Sequence, residues 1–339
     1  MLSTMEVIYT ILIAGELTIG VWGNGFIVLV NCTGWIKRRD ISMIDVILVS
    51  LAFSRICLLC VISLDGLLIC ISPDTYANSK LTSIVDVFWT LSNHSSVWFT
   101  SCLSIFYLLK IVNISHPLFL WLKLKINRII LGIFLMSFLS CIIISVSMNE
   151  DFWDPFKVNH KGAPGWLSGK TQLKELKVSK IPSAFKLLFL NLGVIIPFVL
   201  CLTSFLLLLF SLIRHTKQRK LYATGSRDPS TEAHMRAIKA LIIFLLLFLM
   251  YYAVFIILTS SLLIPQGELV VMFGSAIAVI FPSSHSFILI MGNSKLRKAF
   301  LKVLRVVKSL HRGRKPFVLQ RILNTRGKKS TKDPLPSPN

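Results

Sequence analysis

Negative charge is scarce in this sequence: only 15 of its 339 residues are Asp or Glu, and charged residues of both signs make up 15% of the chain. Soluble domains carry about 25%, which excludes a water-soluble globule. The motifs of hydrolytic and nucleotide chemistry are also missing: there is no P-loop, no HExxH and no GxSxG. An enzyme reading has no residues to stand on. The last apolar run holds no lysine, so a retinal Schiff base is excluded. Of the seven cysteines (Cys32, Cys57, Cys60, Cys70, Cys102, Cys141 and Cys201), none falls in the segment 148–182. That segment therefore has no thiol with which to be stapled to a helix. No CxxC has a second pair or a His partner, so no metal site is expected, and the cysteines read as small buried hydrophobes. No internal repeat is present, which disfavours transporters built from duplicated halves.

What the sequence does have is apolar length. Hydrophobic residues make up 54% of the chain, and the mean hydropathy is +0.72. A bilayer core needs about 20 mostly apolar residues per helix. Seven runs meet that need, at about 7–32, 45–71, 84–112, 129–147, 184–213, 237–264 and 269–291. The third is the most polar, with Asn93, His94 and Lys110. The expected fold is an all-α membrane protein, a bundle of seven transmembrane helices. The first run is expected to act as an uncleaved signal-anchor, since no small-residue cleavage site follows it.

Positive charge sets the orientation. The net charge is +22, and 28 of the 37 Lys and Arg lie in segments that follow odd-numbered runs or in the tail, against seven on the opposite side. Cytoplasmic loops are the cationic ones. The expectation is a multi-pass plasma-membrane protein with its N-terminus extracellular and its C-terminus cytosolic. Such an excess beside seven apolar runs points to a bilayer and not to nucleic acid. After Gly292, residues of about 294–305 place Leu296, Phe300, Val303 and Leu304 at helical spacing between cations, the pattern of an amphipathic helix on an anionic leaflet. Residues 306–339 read as a basic, disordered cytosolic tail, and 1–305 as the membrane domain.

Polar residues inside the runs are the candidate functional groups, because an ionisable side chain at mid-bilayer costs about 2.5–3.5 kcal/mol and needs a partner or a use. Arg55 lies near mid-depth of the second run, with Asp65 about 15 Å further along the same helix, too far to pair. Asn24 of the first run is its nearest expected partner. In the third run Trp89, Asn93, Ser96 and Thr100 share one helical face toward the outer end. That stripe suits either a small-molecule cavity or interhelical hydrogen bonding, and the spacing does not choose. His94 stands one position off the stripe and reads first as a packing residue. Pro197 and Pro282 are expected hinge positions. Asp45, three residues after Ser42, reads as a helix start. The sequons at Asn31, Asn93 and Asn113 lie in spans or the cytosol and are not expected to be glycosylated.

Several strings together resemble the bitter taste receptors, the type 2 taste receptor family of G-protein-coupled receptors. They are GNGFIVLVNC at 23–32, LAFSR at 51–55, WFTSCLSIFYLLKI at 98–111 and HPLFLW at 116–121. To these are added Pro197, Phe198, Ser211, Leu212 and His215, then His234, Ala237 and Lys239, then His285, Ser286, Gly292 and Asn293. The resemblance implies recognition of bitter agonists and coupling to a gustducin-like heterotrimeric G protein, with no cofactor. Oligomers with itself or related receptors stay open. It carries ligand contacts over to Trp89, Asn93, His94, Tyr251, Ser275 and Ala278. It carries switch and G-protein-coupling roles over to Asn24, Arg55, Tyr107, Lys110, His215, His234 and Ser286. Two departures stand out: the second external loop holds no sequon, and the basic tail is long. Ser275 is neutral where some relatives carry an acid, which disfavours a strict preference for cationic ligands. Pheromone receptors of the vomeronasal type 1 family would share the architecture, but the FYLLK run at 106–110 and His285-Ser286 favour the bitter class.

Overall fold

The computed structural model of the chain describes residues 4–38, 41–71, 79–112, 117–148, 168–222, 229–260 and 268–311. Among them there is no strand. The described residues form nine helices: α1 (Thr4–Arg38), α2 (Met43–Ile71), α3 (Ser79–Ile111), α4 (Pro117–Leu124), α5 (Ile126–Met148), α6 (Ser168–Tyr222), α7 (Pro229–Ser260), α8 (Glu268–Gly292) and α9 (Ser294–His311). All but the short α4 and the terminal α9 form a seven-helix bundle. An all-helical answer follows from the solvent, because lipid supplies no hydrogen bonds and each spanning segment must satisfy its own backbone.

Six of the seven bundle helices contain stretches long and apolar enough to cross a membrane. The seventh, α3, has 33 residues and the lowest apolar content of the spans before α6. Its position explains this. It packs against α2, α5 and α6 at once, so most of its surface meets protein and not lipid. Along α1 and α5, by contrast, large apolar side chains point outward, with Ile11 67% and Phe138 65% exposed. Polar side chains gather inside, where Asn24, Arg55, Thr90, His94 and Ser104 are fully buried. The bundle is apolar outside, and its buried polar groups lie among apolar clusters.

The chain alternates direction, so the start of α1 shares one end of the bundle, here called upper, with the starts of α3 and α8 and the ends of α2 and α7. Two apolar clusters support it. One joins α3, α6, α7 and α8 through Phe205, Phe244, Phe248 and Phe281; the other joins α1, α2 and α8 through Tyr9, Leu58, Leu59 and Val279. Helix α6 begins at Ser168, inside the segment read as an external loop, because QLKELK at 172–177 consists of good helix formers. The acidic residues Glu150, Asp151 and Asp154 and the tail beyond His311 lie outside the described residues.

The chain divides into two compact units, Met1–Ile288 and Leu289–Asn339. Within the second, the Asn293 side-chain oxygen accepts the backbone N–H groups of Lys295 and Leu296 at 2.9 and 3.3 Å. It thereby caps α9 and satisfies donors that a helix start leaves unpaired. On α9, Val303, Leu304, Val307 and Leu310 are exposed among lysines and arginines, the composition of an interfacial helix.

Candidate functional site

The polar stripe of α3 divides between two jobs. Its upper member, Trp89, lines a cavity of about 210 Å³ toward the upper end of the bundle. Ser96 and Thr100, its lower members, reach Arg55 of α2. Asn93 sits between them, 1% exposed, its side-chain oxygen accepting the Tyr251 hydroxyl of α7. One stripe therefore both borders a cavity and makes interhelical hydrogen bonds, so the two alternatives that spacing alone leaves open are not exclusive.

Five helices wall the cavity. Trp89 stacks nearly parallel on Phe255 of α7, ring centroids 6.2 Å apart at 10°. Tyr251 and Ala278 close the inner side and Leu190 of α6 flanks them. Ser275 of α8 also lines the space, hydrogen-bonded at 3.0 Å to the hydroxyl of Tyr9, which ties α1 to α8. Of the six ligand positions drawn from the sequence, Trp89, Tyr251, Ser275 and Ala278 are thus brought to one cavity, and Asn93 is bonded to its wall.

His94 is not on that wall. It follows Asn93 by one residue, a turn of about 100° around the helix axis, and is fully buried on another side of α3. There its ring lies so close to Gly193 of α6 that a Cβ on that glycine would meet it. Gly193 is four residues before Pro197, which has no N–H to give to the Gly193 carbonyl. Sequence reading missed other wall residues, notably Asp65 of α2, Asp86 of α3 and Thr259 of α7. No periodicity marks them, because each lies within about a turn or two of a helix end, where a polar residue is expected whatever it faces.

Arg55 is the second centre. It is fully buried; its Nη2 lies 2.5 Å from His285 Nδ1 of α8 and donates to Thr100 at 3.2 Å, while Nε donates to Ser96 at 3.4 Å. A guanidinium has donors only, so Nδ1 is the acceptor and the His285 proton resides on Nε2. The charged carbon also stands 5.4 Å from the Phe281 ring centroid, within cation–π range. Helices α2, α3 and α8 are clasped together here. Asn24 is not the partner expected for Arg55. Its amide nitrogen donates instead to the carbonyls of Gly20 (2.9 Å) and Pro282 (3.3 Å), linking α1 to the proline segment of α8. Both bonds use the amide nitrogen, as is usual for an Asn that reaches the carbonyl four residues back in its own helix, and the side chain is thereby fixed toward α8 and not toward Arg55. Ser286, fully buried, donates to the Ser283 carbonyl at 2.6 Å and rests against Gly23.

At the lower end Tyr107 is half-buried beside Phe106, Lys110 lies 5.4 Å over the Phe106 ring, and His215 is exposed on α6. The His234 side chain lies outside the described residues. Cys32, Cys57, Cys60, Cys102 and Cys201 are free thiols, and among the described residues no three His, Cys, Asp or Glu are grouped to hold a metal.

Comparison with known proteins gives concordant matches. Residues 1–308 match the family model described as Taste receptor protein (TAS2R). The chain is 68% identical over 317 residues to taste receptor type 2 member 9 of Homo sapiens, covering 93% of this chain and 99% of the relative. To the same receptor of Macaca mulatta it is 67% identical over 316 residues, with the same coverage. Taste receptor type 2 member 7 of Macaca mulatta is 52% identical over 309 residues, 89% of this chain and 93% of the relative.

Proposed function

The chain belongs to the taste receptor type 2 family of G-protein-coupled receptors, which are not enzymes, and from that premise we propose that it detects bitter small molecules from outside the cell and activates a gustducin-type heterotrimeric G protein. A ligand and a G protein are the partners that the family implies. In this reading the upper end faces outward at the plasma membrane and the cationic lower end faces the cytosol, as the Lys and Arg distribution favours.

The mechanism has three parts. An agonist enters the upper cavity and lays apolar surface on Trp89 and Phe255. Polar groups of the agonist address Ser275, Tyr251 and the Asn93 amide, whose Nδ2 has no hydrogen-bond partner in this structure. Because Tyr251 bonds Asn93, any ligand that draws either group away alters the tie between α3 and α7. That differential contact is what allows a ligand to shift a helix equilibrium, since one that binds both states equally shifts nothing. The Arg55 clasp and Asn24 lie directly below, in the path between the cavity and the lower face. Tyr107, Lys110, His215 and His234 serve that face in contacting the G protein.

The observation that carries this reading is the Tyr251–Asn93 bond at the inner wall of an upper cavity in a bundle of this family. Its test is intracellular calcium in cells co-expressing the chain and a gustducin-like chimeric G protein. Asn93→Ala is expected to shift agonist potency about tenfold, worth about 1.4 kcal/mol, with surface expression retained. Unchanged potency for every agonist found would remove Asn93 from the site.

A further inference from the structure

At the lower end of the bundle, cations stand on the side of a helix that faces lipid. Helices α4 and α5 meet at Lys125, whose N–H donates to the Trp121 carbonyl at 3.1 Å; the Ile129 N–H donates in turn to the Lys125 carbonyl at 3.0 Å. The bonding pattern of an α-helix thus crosses the junction, and residues on either side of it share helical faces. Trp121, Lys125 and Arg128, spaced i, i+4 and i+7, lie on one such face, with Leu124, Leu131 and Leu135 beside them. All six are exposed, Leu124 by 82%. Leu131 and Leu135 belong to the stretch Ile126–Ile144 that is apolar and long enough to cross a membrane. Lys125 and Arg128 flank the lower limit of that stretch, at the depth of lipid headgroups. The Lys125 Nζ stands 4.9 Å from the centroid of the Trp121 ring, within cation–π range, and Trp is an interfacial residue by preference. From residue 87 to residue 149 the chain has no Asp or Glu.

We propose that this face binds an anionic phospholipid of the lower leaflet, its phosphate held between Lys125 and Arg128 and its acyl chains lying along Leu131 and Leu135. Three features favour a lipid over a soluble protein. The cations share their face with leucines that a soluble partner would have to reach through the bilayer. Their long aliphatic stems can cover apolar surface while the charged heads stay at the water boundary, where the headgroup phosphates are. Two cations without a nearby acid in sequence favour a headgroup of net negative charge, and the guanidinium fork of Arg128 matches phosphate oxygens in pairs. A zwitterionic headgroup would bring its own ammonium against them. Helix α4 packs against α3 and α5, and α3 ends with Tyr107 and Lys110. A lipid held here therefore steadies the element on which the proposed G-protein face is built, although its binding needs neither agonist nor G protein.

The test titrates purified full-length receptor in neutral detergent with dioleoylphosphatidylserine or dioleoylphosphatidylcholine and follows the unfolding midpoint. The serine lipid is expected to act at about thirtyfold lower concentration, the product of two cations at about 1 kcal/mol each. The double variant Lys125→Gln, Arg128→Gln is expected to abolish that preference and leave the choline lipid unchanged. Arg214 and Lys217 of α6, an exposed pair with the same i, i+3 spacing, supply the control: Arg214→Gln, Lys217→Gln should keep the preference. Equal action of the two lipids on the wild-type receptor overturns the proposal. A preference that survives the first double variant, or falls as far in the control, overturns the assignment to this face. Water-soluble glycerophosphoserine acting at the same concentration as the serine lipid makes this an anion site and overturns the lipid as its occupant. Lipids that act equally, with G-protein activation lost in the first double variant, would give the face to the G protein instead. Failure of the receptor reading looks different: no agonist then gives a calcium response, while the lipid preference stands.

Discussion

The Arg55 clasp yields a ranking that can be worked out from its distances. His285→Phe removes the acceptor at 2.5 Å but leaves a ring of similar shape between Phe244 and Phe281, whose centroids lie 4.5 and 5.5 Å from the His285 ring. A hydrogen bond to a charged group contributes about 1.5–3 kcal/mol in proteins, while polar pairs in membranes average about 0.6 and reach about 1.7 kcal/mol. His285→Phe is therefore expected to cost about 1.5 kcal/mol. Ser96 accepts at 3.4 Å, the outer limit of a hydrogen bond, and Ser96→Ala is expected to cost no more than about 0.5 kcal/mol. Thr100→Val, at 3.2 Å, falls between them. Thermal unfolding of detergent-purified receptor, followed by a thiol-reactive dye, reads the order directly. Cys102 and Cys201 are fully buried and report opening, with the exposed Cys60 as a constant background. In an Arg55→Met background, His285→Phe should lose its cost, because the coupling energy belongs to the pair. A Ser96→Ala loss equal to that of His285→Phe, or an undiminished His285→Phe loss without Arg55, would refute the reasoning.

Two further predictions concern close helix approach. Gly193→Ala brings a methyl group against Ile144 and the His94 ring and is expected to cost about 1–3 kcal/mol by overpacking; adding His94→Ala should recover part of that loss in the same unfolding assay. Gly23→Ala presses on Ser286 of α8, whereas a Cβ on Gly25, two residues on, meets nothing within 4 Å. Gly23→Ala is expected to lower the unfolding midpoint, and Gly25→Ala to leave it unchanged or raise it by helix propensity.

Legibility in the sequence followed the kind of signal involved. Helices were legible because lipid forces long apolar runs, and even the polarity of the third run was visible; what was not visible was that three neighbours enclose α3 and make that polarity harmless. Trp89 and Asn93 were legible as one face of a helix, and Tyr251, Ser275 and Ala278 only through family resemblance. His285 as the partner of Arg55 was not, since 230 residues separate them and nothing in either helix encodes which depths will meet. Asn24 was the wrong partner because shared depth only permits a contact: its amide donates to the carbonyls of Gly20 and Pro282 and so is oriented toward α8, while Arg55 turns to Ser96, Thr100 and His285. Asp65 was legible only as an ionisable residue inside the second run; its place on the cavity wall was not, because five helices assemble that wall.

The central claim is that a ligand in the upper cavity drives nucleotide exchange on a G protein at the lower face. Purified receptor reconstituted with a gustducin-type heterotrimer and an agonist from the calcium assay tests it most directly. Agonist-dependent GTP uptake by the α-subunit is expected, weakened by Asn93→Ala at agonist concentrations below saturation and absent without receptor. Agonist-dependent solute flux through liposomes lacking any G protein, with no stimulation of exchange when one is added, would contradict the account.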